Sequence, residues 1–203
     1  MHLVRIPGFL APAEVSYCVS AINDVLGAPD SEEQYDEALD GLVSIAELHP
    51  RTIEAETLPT LFKALPDQPP APGTPRSDSY RRALGALAAL CEHPDLFEIL
   101  SLRLVARLEA IVSAPAQEKE KREHASLYAH HLLATLKAVL KVKVRKGHGD
   151  VGKYVEKLVP KLLGMFILPT LKSMDEGEVA RDPRLLIDAG RIVTVVVQRC
   201  ETE

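Results

Sequence analysis

The feature that most constrains this chain is a segment that occurs twice. Ala38-Leu-Asp-Gly-Leu-Val-Ser-Ile-Ala-Glu47 aligns without a gap on Ala83-Leu-Gly-Ala-Leu-Ala-Ala-Leu-Cys-Glu92. A His-Pro pair follows each copy, His49-Pro50 and His93-Pro94. In both copies the apolar positions recur at the spacing of one helix face. A helical hairpin repeated at about 45 residues cannot bury its apolar face alone, so copies stack and share a core.

The same periodicity runs through the rest of the chain. Val15, Cys18, Val19, Ile22 and Leu26 form one stripe, and Leu39, Leu42, Ile45, Ala46 and Leu48 form the next. The pattern predicts helices at roughly 13–26, 32–48, 51–65, 78–92, 95–113, 120–144, 151–172 and 183–200. Their pairing into hairpins (13–48, 51–92, 95–144 and 151–200) implies one domain over residues 1–203. The expected fold is all-α, a HEAT/armadillo-like α-solenoid of about four helical hairpins. The absence of Trp, with only four Phe and five Tyr, agrees with a stack built on Leu, Ala and Val.

Polar residues mark the expected helix starts: Ser31 before Glu32, Ser77 or Ser79 before Tyr80, and Asp182 before Pro183. His49-Pro50 and His93-Pro94 read as helix stops, with the histidines placed to meet the last carbonyls of the preceding helix. Pro66-Asp-Gln-Pro-Pro-Ala-Pro-Gly-Thr-Pro75 holds five prolines in ten residues and reads as a surface loop. A second polar loop is expected near 115–119. Lys146-Gly-His-Gly-Asp150 matches no phosphate-binding motif and reads as a turn. The last helix carries Leu185, Leu186, Ile187, Ile192, Val193, Val195, Val196 and Val197. That is more apolar surface than a capping helix needs, so the chain reads as a segment of a longer array.

A net charge of -5, from 29 acidic and 24 basic side chains, gives no global attraction to nucleic acid or membrane. Cys18, Cys91 and Cys200 lie far apart with no C-x-x-C pair, which fits neither a disulfide scaffold nor a zinc module. Pro7 and Gly8 interrupt the first apolar run, unlike a signal peptide. No apolar run approaches the roughly 18 residues of a membrane span. A soluble intracellular protein is expected.

Few residues invite chemistry. His124, Tyr128 and His131 share a helix face at i, i+4 and i+7, the spacing at which a helical His pair can chelate a metal, but no third ligand is evident. A metal-dependent helical enzyme is therefore the weaker reading, and no catalytic, cofactor-binding or metal residue is assigned. Cys91 aligns with Ala46, as a small core residue would. Charge is unevenly spread. Residues 30–56 hold nine acids against Arg51, whereas Lys137, Lys141, Lys143, Arg145, Lys146, Lys153, Lys157 and Lys161 face only Asp150 and Glu156. This basic run is either a solvated face or a docking surface for an acidic partner or nucleic acid, with Lys137, Lys141, Lys153 and Lys157 as its candidates. With few aromatics interleaved, base stacking is not expected.

One stretch goes beyond a generic pattern: Leu58-Pro-Thr-Leu-Phe-Lys-Ala-Leu-Pro-Asp67, the proline-rich loop, Tyr80-Arg-Arg-Ala-Leu-Gly-Ala-Leu-Ala-Ala-Leu-Cys91, Pro94-Asp-Leu-Phe-Glu-Ile-Leu100 and Arg103-Leu104. It resembles the middle HEAT-repeat region of the MMS-nineteen (methionine-eighteen) family, most clearly over residues 38–112. The carboxy-terminal repeats of that family are not evident. The resemblance implies a non-catalytic adapter of the cytosolic iron-sulfur assembly machinery, found in cytoplasm and nucleus. It would hold assembly subunits and client apoproteins of DNA repair, replication and transcription, with no cofactor of its own and no direct nucleic-acid or membrane contact. The alternative within the binding class is an unrelated HEAT-repeat scaffold.

Overall fold

The computed structural model describes residues 10–114, 118–172 and 179–200, and every regular element among them is helical. In chain order these are α1 (Pro12–Gly27), α2 (Glu32–Ala46), α3 (50–63), α4 (Pro75–Leu90), α5 (Pro94–Val112) and α6 (Lys119–Arg145). A 3-10 turn at Gly149–Lys153 leads into the short α7 (Tyr154–Lys157), followed by α8 (159–172). A second 3-10 turn at Val179–Arg181 precedes α9 (Pro183–Cys200). The expected amino-terminal run and residues 115–117 of the second loop lie outside the described residues.

The duplicated segment supplies most of α2 and much of α4, and its two copies are buried alike. Ala38 and Ala83 are buried, as are Leu42 and Leu87, Ile45 and Leu90, and Ala46 and Cys91. Sequence equivalence here is equivalence of packing position.

Helices touch in two rows. In one row α2 packs on α4, α4 on α6 and α6 on α9. In the other α1 lies against α3, and α5 meets α3 through Arg103 over the Phe62 ring, α7 through Phe97 and Tyr154, and α8 through Glu109 and Lys161. Where two contacts fix the direction, the paired residues rise together in number, so α4 runs parallel to α6 and α5 to the α7–α8 segment. Tyr80 meets His131 while Glu92 meets Lys146, and Glu98 meets Lys157 while Glu109 meets Lys161. Many of these bonds join residues 47 to 54 apart in sequence.

Local chemistry explains the helix ends. Ser31 Oγ accepts from the Gln34 amide at 3.1 Å, and Asp182 Oδ1 accepts from the Arg184 amide at 2.9 Å. α4 begins earlier than its serines suggest. Thr74 Oγ1 accepts from the Ser77 amide at 3.2 Å and Pro75 takes the first helical position, so the last proline of the loop starts a helix. The His-Pro pairs also act forwards. The His49 amide does donate to the Ile45 carbonyl at 2.8 Å, but His93 Nδ1 accepts from the Asp95 amide at 3.3 Å and caps α5. At the end of α6, Gly147 takes φ +72°, which lets the amides of Gly147 and His148 reach the carbonyls of Val144 and Lys143.

Two features escape the periodicity. The expected single helix at 151–172 breaks at Leu158, because Pro160 has no amide to donate and its ring crowds the carbonyl of Glu156. In addition, α3 and α8 each contain a wide π turn, Ile53–Thr57 and Leu163–Ile167. Each is followed by the same four residues, Leu58-Pro-Thr-Leu61 and Leu168-Pro-Thr-Leu171. The amides of Leu58 and Leu168 reach back five residues to Ile53 and Leu163, which moves the earlier carbonyls clear of Pro59 and Pro169.

Candidate docking surface

The packing of α6 against α9 organises the basic segment. Leu132, Leu133, Leu136, Val139 and Leu140 of α6 are buried, and α9 buries Leu185, Ala189, Ile192 and Val196 at helical spacing. Of the apolar residues in the last helix, Ile187 and Val197 stay exposed. Beside this apolar contact lies a polar clamp. The Asp188 carboxylate is 4 % exposed and takes two partners from α6, the ammonium of Lys137 and Nδ1 of His130 at 2.5 Å. Buried charges are tolerated when paired in this way.

Lys143 is a second buried cation, fully enclosed within the run that reads in sequence as a surface. Its ammonium lies 2.8 Å from Asp150 Oδ2 and 5.2 Å from the centre of the Phe97 ring, and it donates to the Glu92 carbonyl at 3.3 Å. One side chain thus joins the end of α4, the start of α5, α6 and the 3-10 turn after it. Its position was legible in one respect, since Leu136, Val139, Leu140 and Lys143 fall on one helical stripe. Neither carboxylate oxygen of Asp150 has a hydrogen-bond partner among the described residues, so its contact with Lys143 is an ion pair.

The candidate lysines occupy different settings. Lys137 is held by Asp188, and Lys157 pairs with Glu98 of α5 at 2.5 Å. Lys146 and Lys161 are likewise paired, with Glu92 and with Glu109. Lys141 and Lys153 are exposed, and neither has a carboxylate partner among the described residues. Lys141 and Arg145 border a groove of about 700 Å³ between α6 and α9, floored by Ala138, Val142, Val144 and Val195 and lined also by Gln198.

Tyr128 and His131 are drawn into packing, and His124 on the same helix face is half-buried. Tyr128 is buried against Tyr80 with ring centres 5.0 Å apart, and its hydroxyl donates to the Pro66 carbonyl at 3.1 Å. Burial pushes its pKa up to about 12, against the opposing effect of Arg107. His131 Nδ1 lies 2.7 Å from the Tyr80 hydroxyl, and burial first, then Arg81 and His130, pulls the imidazole below its ordinary pKa. Neutral His131 therefore accepts from the protonated Tyr80. Among the described residues no group of three or more His, Cys, Asp or Glu is arranged to hold a metal ion. Cys91 is fully buried and its thiol is pushed up to about 12 by that burial, whereas Cys18 is half-buried. No helix among the described residues is long and apolar enough to cross a membrane.

Comparison with known proteins decides the family. Residues 83–203 match the model for the RNAPII transcription regulator C-terminal family, MMS19_C. The chain belongs to this family. The match begins at Ala83, the first residue of the second copy of the repeated segment, and takes in α5 to α9 with the groove and the clamp. It also corrects one reading of the sequence: the matched region is the carboxy-terminal part of the MMS-nineteen family, not a middle region centred on residues 38–112. No curated protein and no solved structure matches the chain.

Proposed function

We propose that this chain is a non-catalytic HEAT-type adapter of the MMS-nineteen family. It holds subunits of the cytosolic iron-sulfur assembly machinery together with client apoproteins of DNA repair, replication and transcription, in cytoplasm and nucleus. The observation that carries the reading is the family match over residues 83–203, a region that takes in the second half of α4 together with α6 and α9 of the same row.

Further support comes from the packing. Parallel neighbours in both rows, bonds spaced at about one repeat, and equal burial of the two repeat copies are what a HEAT/armadillo-like α-solenoid of four hairpins would give. Tyr128 and His131, two of the three residues of the alternative enzyme reading, are tied to the proline-rich loop and to α4, while Lys141 and Lys153 are left to meet solvent or a partner.

The test is capture. Immobilised chain, shown to be folded by its helical circular dichroism, is incubated with cell lysate and the bound proteins are identified. Recovery of iron-sulfur assembly subunits or client apoproteins is expected; recovery of neither would count against the reading.

A further inference from the structure

The groove between α6 and α9 has a chemistry distinct from the rest of the basic segment. Most cations of that segment are neutralised within the molecule: Lys137 by Asp188, Lys143 by Asp150, Lys146 by Glu92, Lys157 by Glu98 and Lys161 by Glu109. Lys141 and Arg145 are exposed at the groove rim, and neither has a carboxylate partner among the described residues. They lie one turn apart on α6 and extend the same face as Ala138. Across the groove, Arg191 lies one turn before Val195 on α9 and is exposed as well. Among the described residues none that lines the groove is acidic, and the neighbouring carboxylate on α9, Asp188, is already engaged by Lys137 and His130.

The floor differs from the rim. Ala138, Val142, Val144 and Val195 offer short aliphatic side chains and no aromatic ring, so the groove holds nothing on which a base could stack. An apolar floor flanked by cations matches a helix that carries aliphatic residues on one face and carboxylates beside them, the helix-in-groove mode of recognition. α6 and α9 run parallel here, since Lys137 meets Asp188 and Val142 faces the same groove as Val195. A parallel helix pair leaves a furrow along which such a helix can lie.

We propose that the α6–α9 groove receives an acidic amphipathic helix of a partner protein, with its aliphatic face on Val142 and Val195 and its carboxylates against Lys141 and Arg145. The proposal rests on the adapter reading for its biological meaning and names the partner class that this part of the adapter takes.

The experiment uses the full chain and two fluorescent synthetic peptides of about 18 residues, long enough for five helical turns. One carries Leu and Ala on one face with flanking Glu; in the other every Glu is Lys. Fluorescence anisotropy is expected to show binding of the acidic peptide alone, weakening as salt rises from roughly 0.05 M to 0.5 M. The double variant Lys141→Glu with Arg145→Glu is expected to lower the affinity by at least about tenfold. Val195→Gln is expected to lower it with an unchanged helical spectrum, and Lys153→Glu, outside the groove, to leave it unaltered.

Equal binding of both peptides, or indifference to the double variant, would overturn the proposal. So would a dimer in sedimentation velocity that the double variant dissolves, which would make a second copy the occupant, or a single-stranded oligonucleotide that displaces the acidic peptide. The assay needs no assembly subunit. Peptide binding without capture of such subunits defeats the adapter reading alone, and capture without peptide binding defeats the groove alone.

Discussion

The same four residues, Leu-Pro-Thr-Leu, occur in α3 and in α8 with opposite fates. In α3, Leu58 and Leu61 are 1 % and 8 % exposed; in α8, Leu168 and Leu171 are 46 % and 76 % exposed. The backbone is the same in both places, a π turn that ends at the leucine before the proline. What differs is the company. α3 is covered by α1, α2 and α4, whereas α8 packs chiefly on α9 and the 3-10 turn before it. Short-range sequence sets the form of the helix, and the neighbour decides whether its leucines belong to the core.

The largest expected effect separates the two sites directly. Leu58→Ala removes a fully buried side chain and is expected to cost about 2–5 kcal/mol. Leu171→Ala is expected to change stability by no more than about 0.5 kcal/mol. Urea unfolding of both variants measures the difference, and equal losses would break the comparison.

A second variant tests what holds α8 in place. Asp188→Asn deprives Lys137 and His130 of their shared carboxylate and is expected to cost about 1.5–3 kcal/mol, the range for hydrogen bonds to charged groups. Because α9 is the chief support of α8, amide exchange is expected to speed up in α8 and α9 before it does in α3. Uniform acceleration across the chain would show that the two ends are not independently supported.

Acidity acts on the joint between them, where Tyr80 of α4 bonds His131 of α6. The folded imidazole has a pKa below its ordinary value of 6.5, so on acidification the unfolded chain takes up the proton first. Stability is therefore full above about 6.5 and falls as pH drops from there towards the lower folded pKa. Asp182, held low mainly by its hydrogen bond from Arg184, adds a loss only as pH falls below the ordinary carboxylate range. Melting temperature against pH, with His131→Gln as the reference, measures the first effect. The variant is expected to flatten the slope between pH 6.5 and more acidic values, and an unchanged slope would assign it to another group.

The smallest effect concerns the π turns themselves. Pro59→Ala and Pro169→Ala each restore an amide and relieve the crowding that widens the turn, so each is expected to shift stability by about 1 kcal/mol or less, and by similar amounts. Strongly unequal shifts would mean that burial, not the proline, maintains the wide turn in α3.

Much of this was legible in the sequence, for reasons the particular residues make plain. The duplicated segment located α2 and α4 because its core positions, Leu42 with Leu87 and Ala46 with Cys91, do the same packing in each copy. The start of α4 was not legible, since Pro75 sits in a run of prolines that break helices, and only the hydroxyl of Thr74 makes it a first-turn residue. The π turns were hidden because apolar periodicity records which face is buried and not how many residues close a turn, although the repeated Leu-Pro-Thr-Leu was a signal. At the candidate surface the run of cations was visible but its pairing was not. Whether a lysine is buried like Lys143, held like Lys137 or left at a groove rim like Lys141 depends on helices some 50 residues away, such as α9 with Asp188.

The central claim, that this carboxy-terminal family region is an adapter, meets its most direct test in calorimetric titration of the purified, folded chain with purified iron-sulfur assembly subunits. Saturable binding at a fixed stoichiometry is predicted, weakened when Lys141 and Arg145 are both changed to Glu. Absence of any heat of binding at concentrations up to about 100 μM, where even a weak complex would register, would contradict it.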